Sequence, residues 1–430
     1  MNKPDTLCFA PWTHTYLSPQ TERRLCCASR EPAQNFRQYI DTAAGSGEYI
    51  PITLEQHWNS DHMRGVRRRM LAGETLPECD VCNSKLLNTS VYRDYFGHLF
   101  GHKLQQVYDT TDATGATTMR PVSWDYRFSN LCNFKCRMCG DMLSSAWESE
   151  QKTHRMVNWS NPKNNWQLPQ VRQAISQFQD TQIEAEFSAA VEQHRVEEIY
   201  WAGGEPLMYE QHWRYMQRII ALGDGGQVYA RYNTNLSRVD FRGVNLYRDI
   251  LCHIRDWQIC ASIDGTGPVG EYIRTGLDYD QFRRNFEQGL KYQRNRRQMR
   301  LDFTLTLPGM FGVDNIQSLA QEYDVDLLTK VVFSFSPDII MSPLALPRRL
   351  LEPWIDQLLD TASLDSMREL LTQLKTRATF EEQWPDTYQQ AMSQGKARVL
   401  HLEQIRQDTY TMSDILSQDK EIHGWWKSIA

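Results

Sequence analysis

Along most of the chain, short runs of apolar, β-branched or aromatic residues alternate with longer stretches whose apolar positions recur every three or four residues. The short runs are "VSWDYRFS", "VEEIYWAG", "QVYARYNTN", "WQICASID", "RLDFTLTL" and "KVVFSFS", each with the length and composition of a strand. Between them, "HWRYMQRIIALG" carries a helical apolar stripe that stops on glycine, and "YDQFRRNFEQGLKYQRN" is patterned the same way. Such alternation predicts parallel strands joined by right-handed helical crossovers, and six units make a partial (β/α)6 TIM-like barrel of the α/β class. The first crossover, from Asp141 to about Arg195, is long and holds "NWSNPKNNWQLPQ". A lid, a substrate wall and a plain surface excursion all fit that composition.

Two regions flank the barrel, which is expected to span residues 122–340. The stretch "YDTTDATGATTMRP", residues 108–121, lacks periodicity and is rich in Thr, Asp and Gly. It is expected to link the barrel to an N-terminal unit, 1–107. Beyond "SPDIIMSPLALPRRL" the pattern turns helical in "LEPWIDQLLDTA", "MRELLTQLKTRATFEEQW" and "KARVLHLEQIRQ", which predicts a helical C-terminal extension, 341–430, packed on the barrel.

With 430 residues, 41% of them hydrophobic, the chain is long enough for more than one core. A formal charge of -6, mixed in sign along the sequence, lacks the basic footprint that neutralises a nucleic-acid backbone, so a nucleic-acid partner is unsupported. "MNKPDTLCFAPW" has no apolar leader core, and no run approaches the roughly 18 apolar residues of a membrane helix. A cytoplasmic protein without a membrane partner is expected. In a reducing compartment, clustered thiols point to metal or catalysis rather than disulfides. Of the ten cysteines, only Cys252 and Cys260 stand apart, and both are expected to be small buried hydrophobes.

"NLCNFKCRMCG" places Cys132, Cys136 and Cys139 within eight residues, directly after the first predicted strand. Catalytic groups of barrel-like α/β folds gather at the carboxyl ends of strands. Thiolates suit zinc or an iron–sulfur cluster, and three of them leave one coordination position open to a small molecule. The spacing of three residues and then two resembles the signature of the radical S-adenosylmethionine (SAM) superfamily. That resemblance implies a 4Fe-4S cluster held by these three cysteines, with SAM chelating the fourth iron and Met138 near the adenine. Gly203, Gly204 and Glu205 in "WAGGEP" resemble the motif that binds the methionine ammonium; glycines permit close backbone approach and a carboxylate pairs with a cation. "YNTNLS", "ASIDGTG" and "EYIRTG" resemble later family elements. By that resemblance Ser262 and Arg274 contact the SAM carboxylate, while Asn233 and Asn235 lie near ribose or substrate. Asn235 and Asp264 fit turn formation equally well.

The N-terminal cysteines form a second set. "CFAPWTHTYLSPQTERRLCC" has the pattern of a strand, a Pro-marked turn and a second strand ending in paired cysteines, and "LPECDVC" follows about fifty residues later. Cys8, Cys26 or Cys27, Cys79 and Cys82 supply four ligands, as a zinc ribbon would. The order also resembles the twitch and SPASM extensions of radical SAM enzymes, with "HWNSDHMRGVRRRM" matching their helix, and implies one auxiliary 4Fe-4S cluster; of the adjacent pair, Cys26 is taken as the ligand, with Cys27 pointing away along the strand. Here the extension precedes the barrel instead of following it. The resemblance further implies a flavodoxin or ferredoxin as electron donor, cleavage of SAM to a 5′-deoxyadenosyl radical, and a peptide or protein substrate ahead of a small-molecule or nucleotide-derived one. A zinc-stabilised binding protein on a degenerate barrel is the reading from another class. His98 and His102 lack a metalloprotease glutamate and are expected at the surface or in packing. "RRNFEQGLKYQRNRRQMR" is expected to be a solvated helix face or a docking patch for an acidic carrier.

Overall fold

The computed structural model describes residues 3–29, 49, 51–84, 91–332 and 336–430. They divide into two compact units, the first holding 1–132, 141–231 and 250–257, the second holding 133–140, 232–249 and 258–430.

The first unit is built on β1 (His14–Leu17), β2 (Arg23–Arg24), β3 (Ser123–Tyr126), β4 (Glu198–Trp201) and the first half of β5 (Tyr229–Thr234), in the order β2-β1-β3-β4-β5. The N-terminal hairpin forms as expected, with Tyr16 opposite Arg24. It does not stand apart, because β1 runs parallel to β3 with His14 opposite Ser123 and Tyr16 opposite Asp125. The stretch 108–121 lies within the first unit: 108–110 end the helix Leu104–Thr110, and a fitted turn follows. Thr111 bridges Thr117 there, and a Cβ on Gly115 would lie 2.1 Å from the Arg64 carbonyl. The helix expected from "HWNSDHMRGVRRRM" belongs to two helices, Leu54–Trp58 and Asp61–Leu71, separated where Ser60 caps the second by accepting from Met63 N. Met63, Val66 and Met70 on the second helix pack with Phe9, Trp12, Phe96 and Phe100 into one apolar core.

Strand alternation gives the first unit's sheet two unlike faces. Trp124, Tyr126 and Phe128 share one face and surround Phe187 of helix Glu184–Glu192 at centroid distances of 5.5, 6.2 and 5.7 Å. Ser123, Asp125 and Arg127 point the other way. The long first crossover is mostly helical: Ser145–Thr153, then Pro169–Phe178 running through a π-turn, Gln179–Ile183, into Glu184–Glu192. Helix Glu210–Ala221 follows β4 and stops at Gly223, whose φ of +82° permits the left-handed turn.

The second unit holds the rest of β5, most of β8 (Asp256–Ile263), β9 (Met299–Leu305) and β10 (Asp326–Val331), in the order β5-β8-β9-β10, and a small hairpin of β6 (Asp240–Phe241) and β7 (Val244–Asn245). The β8–β9 and β9–β10 pairs are parallel, with Ser262 opposite Asp302 and Lys330 opposite Thr304. The last strand comes four residues earlier than the sequence pattern suggests: Asp326–Val331 pairs with β9, and residues 333–335 of "KVVFSFS" lie outside the described residues. Helices Tyr279–Leu290 and Val313–Glu322 link the strands. The C-terminal region is helical, as expected, in Arg348–Thr361, Asp365–Thr376, Tyr388–Arg406, Met412–Leu416 and Lys420–Ser428. Among the described residues the fold is therefore α/β, with a mostly parallel sheet of eight strands beside the β6–β7 hairpin. No helix among the described residues is long and apolar enough to cross a membrane.

Candidate functional site

In the first unit, Cys8, Cys26, Cys79 and Cys82 line one pocket together with Glu78, Tyr92 and Arg93. It encloses about 340 Å³ of atom-free space, its mouth included. Cys8 enters just ahead of the helical turn Ala10–Thr13, Cys26 follows β2, and Cys79 and Cys82 flank the start of the turn Asp80–Asn83. Burial pushes Cys8 up to about 12, Cys79 up to about 11, and Cys26 well above the ordinary thiol range. Nearby thiols add to the shifts: Cys79 and Cys82 act on Cys8, and Cys27, then Cys8 and Cys79, act on Cys26. Glu78 is buried, and its Oε2 has no hydrogen-bond partner among the described residues. Closely set thiols that resist ionisation beside an unsatisfied carboxylate oxygen are the surroundings that a bound cation reverses. By composition the donor set suits an iron–sulfur cluster, in which each thiolate meets a different iron. Among the described residues, no three His, Cys, Asp or Glu side chains are set to hold a single metal ion.

Cys27 does not line that pocket. Tyr92 hydrogen-bonds to it, and Asp125, Arg127 and Arg231 are the charges that act on it. These belong to the polar face of the first unit's sheet, which sequence reading did not single out. Arg127 closes on Asp125 with contacts of 3.1 and 3.2 Å and lies 5.0 Å from the Tyr16 ring centre. Arg231 sits 3.8 Å from the Tyr200 ring centre and 4.3 Å from that of Tyr95. Tyr95 donates to Glu198 Oε1 at 2.9 Å, Ser123 bonds the other oxygen, and His14 Nδ1 lies 2.7 Å from Ser123 Oγ. Burial raises Glu198 against the pull of Arg231. Burial, reinforced by Arg231 and Arg127, lowers His14 to about 3. The strict alternation of polar and aromatic residues in "SWDYRF" is the signal that marks this face.

The end of β4 in the same unit carries Gly203, Gly204 and Glu205. Gly203 has a φ of +119°. A Cβ on Gly204 would lie 2.3 Å from the Leu131 carbonyl, so only glycine permits this approach to the residues just before Cys132. Glu205 N donates to Leu131 O at 2.7 Å. The Glu205 side chain is buried, and its Oε1 accepts from Leu207 N at 3.0 Å, capping the turn that follows. Cys132 is half-buried; its amide donates to Ser145 Oγ at 3.1 Å, at the start of helix Ser145–Thr153.

In the second unit, Cys136 and Cys139 are half-buried and close a turn through Cys139 N to Cys136 O at 3.0 Å, with Met138 between them. Arg274 Nη1 reaches Cys136 Sγ at 4.0 Å, and its Nε donates to Asp264 Oδ2 at 2.5 Å. Asp264 is fully buried and also accepts from Thr304 N at 2.9 Å, so it braces Arg274 and does not merely shape a turn. Gly276, φ +109°, lets its own segment close on the Asn133 carbonyl, 3.1 Å from where a Cβ would sit. Asn235 donates to Asn133 Oδ1 at 3.0 Å and accepts from Ser237 N at 2.9 Å, combining a contact with the cysteine loop and an Asx turn. Asn233 donates to Asp302 Oδ2 at 2.8 Å, and Lys330 Nζ lies 2.6 Å from the same oxygen. Ser262 stands opposite Asp302 in the sheet. Asp302 and Lys330 were not among the residues picked from sequence, although both sit in predicted strand regions.

The remaining cysteines divide: Cys260 is buried as expected, but Cys252 is exposed because it lies in the short helical turn Leu251–His253 before β8. His98 and His102 are both exposed. No family model matches the chain, and no curated protein matches it. A solved structure, TYW1 with a lysine-pyruvate adduct bound, is similar at 14% identity and a TM-score of 0.30, over 58% of this chain and 76% of that one.

Proposed function

We propose that the chain is a radical SAM enzyme with an auxiliary iron–sulfur cluster, acting on a peptide or protein substrate. The observation that carries the reading is the Cys132, Cys136, Cys139 spacing at the end of a predicted barrel strand. Cys132, Cys136 and Cys139 hold the SAM-binding 4Fe-4S cluster; Cys8, Cys26, Cys79 and Cys82 hold the auxiliary one. When bound, the first cluster and SAM supply a 5′-deoxyadenosyl radical for hydrogen abstraction, at the cost of one electron from a flavodoxin or ferredoxin. The chain's own work is to orient and to shield. Arg274, fixed by Asp264, offers a guanidinium to the SAM carboxylate beside Cys136. By the family resemblance, Gly203 and Gly204 permit close backbone approach and the Glu205 carboxylate pairs with the methionine ammonium, Ser262 joins Arg274 at the SAM carboxylate, and Asn233 and Asn235 face the ribose or substrate. Asp125, Arg127, Tyr200 and Arg231 offer substrate-binding groups whose geometry is fixed by one another.

Anaerobically purified protein, given dithionite and SAM, is expected to release 5′-deoxyadenosine, and Cys136→Ala to abolish it. Release by that variant would show that the wrong cysteines have been assigned. One rival comes from another class, a zinc-stabilised binding protein that uses the four thiols as its ligands. About eight irons and eight sulfides per chain accompany the proposed reading; zinc without sulfide accompanies the rival. A short precursor-peptide gene beside this one supports the peptide substrate, and a cofactor or sugar biosynthesis cluster supports the small-molecule alternative.

A further inference from the structure

We infer that Arg137 is a positioning residue through which the C-terminal helical region holds the cysteine loop in the shape that retains its cluster; this rests on the radical SAM reading. Arg137 lies between Cys136 and Cys139 in sequence, yet its side chain is only 1% exposed. It turns away from solvent into the second unit. Its Nε donates to Tyr272 O at 2.9 Å, its guanidinium carbon lies 3.9 Å from the Tyr272 ring centre, and its Nη2 pairs with the Asp408 carboxylate. Tyr272 is held in turn. Its hydroxyl donates to Glu403 Oε1 at 2.7 Å, and the same oxygen accepts from Met412 N at 2.7 Å.

The backbone repeats the attachment. Lys135 N donates to Thr275 O and Arg137 N to Ile273 O, both at 2.8 Å, so the loop is laced to the segment that carries Arg274. Arg406 Nη1 donates to Thr275 Oγ1 at 3.1 Å from the end of helix Tyr388–Arg406. Gln407 then takes a left-handed φ of +56°, and Asp408 follows directly. A non-glycine residue held in that region costs stability, so the turn is over-determined by its surroundings. One planar cation that stacks, donates to a carbonyl and pairs with a carboxylate is a task for arginine, which lysine does not reproduce. Residues 271 positions apart are thereby joined at the cysteine loop.

The test compares wild type, Arg137→Lys, Asp408→Asn and their double variant, each reconstituted with iron and sulfide. Two readouts bear on position: the rate at which a chelator removes the iron that SAM protects, and the change in the reduced cluster's electron paramagnetic resonance signal when SAM is added. Each single variant is expected to lose the SAM-protected iron roughly 10- to 100-fold faster, with a weakened SAM-induced spectral change. The double variant is expected to match the worse single, because both substitutions break one link. Iron that SAM does not protect should leave at the wild-type rate in all four. Asp356→Asn, which breaks an exposed pair with Lys375 in the same helical region, should behave as wild type. If Arg137→Lys does not fold, Asp408→Asn and Tyr272→Phe carry the same expectation. Wild-type rates and spectra in the variants, or multiplying effects in the double, overturn the inference alone. A wild-type chain that takes up no iron and sulfide overturns the proposed function together with it.

Discussion

Arg274 holds Asp264 at 2.5 Å with one nitrogen and reaches the sulfur of Cys136 at 4.0 Å with another. The carboxylate is fully buried, and burial raises its pKa against the pull of the arginine. Removing the cation alone therefore strands a charge. Arg274→Gln is expected to destabilise the chain by about 3 kcal/mol or more. Adding Asp264→Asn to it should recover much of that loss, because no unpaired charge remains. Urea unfolding of the metal-free chain measures both, and a double variant no better than the single would refute the pairing.

Gly204 makes a separate demand. Alanine there would place a methyl carbon 2.3 Å from the Leu131 carbonyl, so either β4's exit or the segment entering Cys132 must move. Gly204→Ala is expected to cost roughly 1–3 kcal/mol and to weaken SAM binding. Gly226→Ala, where nothing lies within 4 Å, should be close to neutral and serves as the comparison. Equal stabilities for the two, by thermal or urea unfolding, would remove the close approach as the reason for glycine.

Cys26 and Cys27 are neighbours that face different surroundings, and this separates their substitutions. Cys26→Ser is expected to lower the iron content from about eight per chain to about four, whereas Cys27→Ser should keep about eight and alter the chemistry only if substrate meets the Arg127 and Tyr200 face. Iron and sulfide analysis of the two variants decides it. The reverse result would assign the pocket to Cys27.

Stability should fall on the acid side for a reason unrelated to metal. His212 is fully buried between Trp201 and Trp213, and burial lowers its pKa from 6.5 to about 3. The unfolded chain thus takes up a proton that the folded chain refuses. The His212 contribution is whole above pH 6.5 and is lost as pH falls from 6.5 toward 3, by up to about 1.4 kcal/mol per pH unit. His14 and His57 are lowered in the same way, so wild type should show the steepest limb. His212→Gln should shallow the slope of unfolding free energy against pH by about one proton. An unchanged slope would mean that His212 is already charged in the folded state.

Much of this was legible because it is local. The β-branched and aromatic runs that became β3, β4, β5, β8 and β9 announce themselves within a few residues, and Gly223 ends its helix where the pattern stops. What was not legible depends on partners distant in sequence. The sequence pattern starts β10 only at Lys330, because the residues that begin the strand, Asp326 to Thr329, follow closely on a helix and are fixed as strand by pairing with Arg300 to Phe303 of β9. The pairing of β1 with β3 is invisible to local pattern, because the partner residue Ser123 lies 109 positions after His14. Arg137 was passed over between two conspicuous cysteines, since its anchor lies near the far end of the chain.

The pairing of β1 with β3 also sets an order of events during synthesis. His14 leaves the ribosome long before Ser123 exists to meet it, and at roughly 5–20 residues per second the delay is on the order of 5–20 s. Throughout that interval Cys8 and Cys26 belong to a hairpin without a sheet, and their thiols are open to oxygen, to stray metal and to one another. On the proposed reading, loading of a cluster into the finished pocket is therefore a late step, because the pocket needs Cys79 and Cys82 as well as the two early thiols.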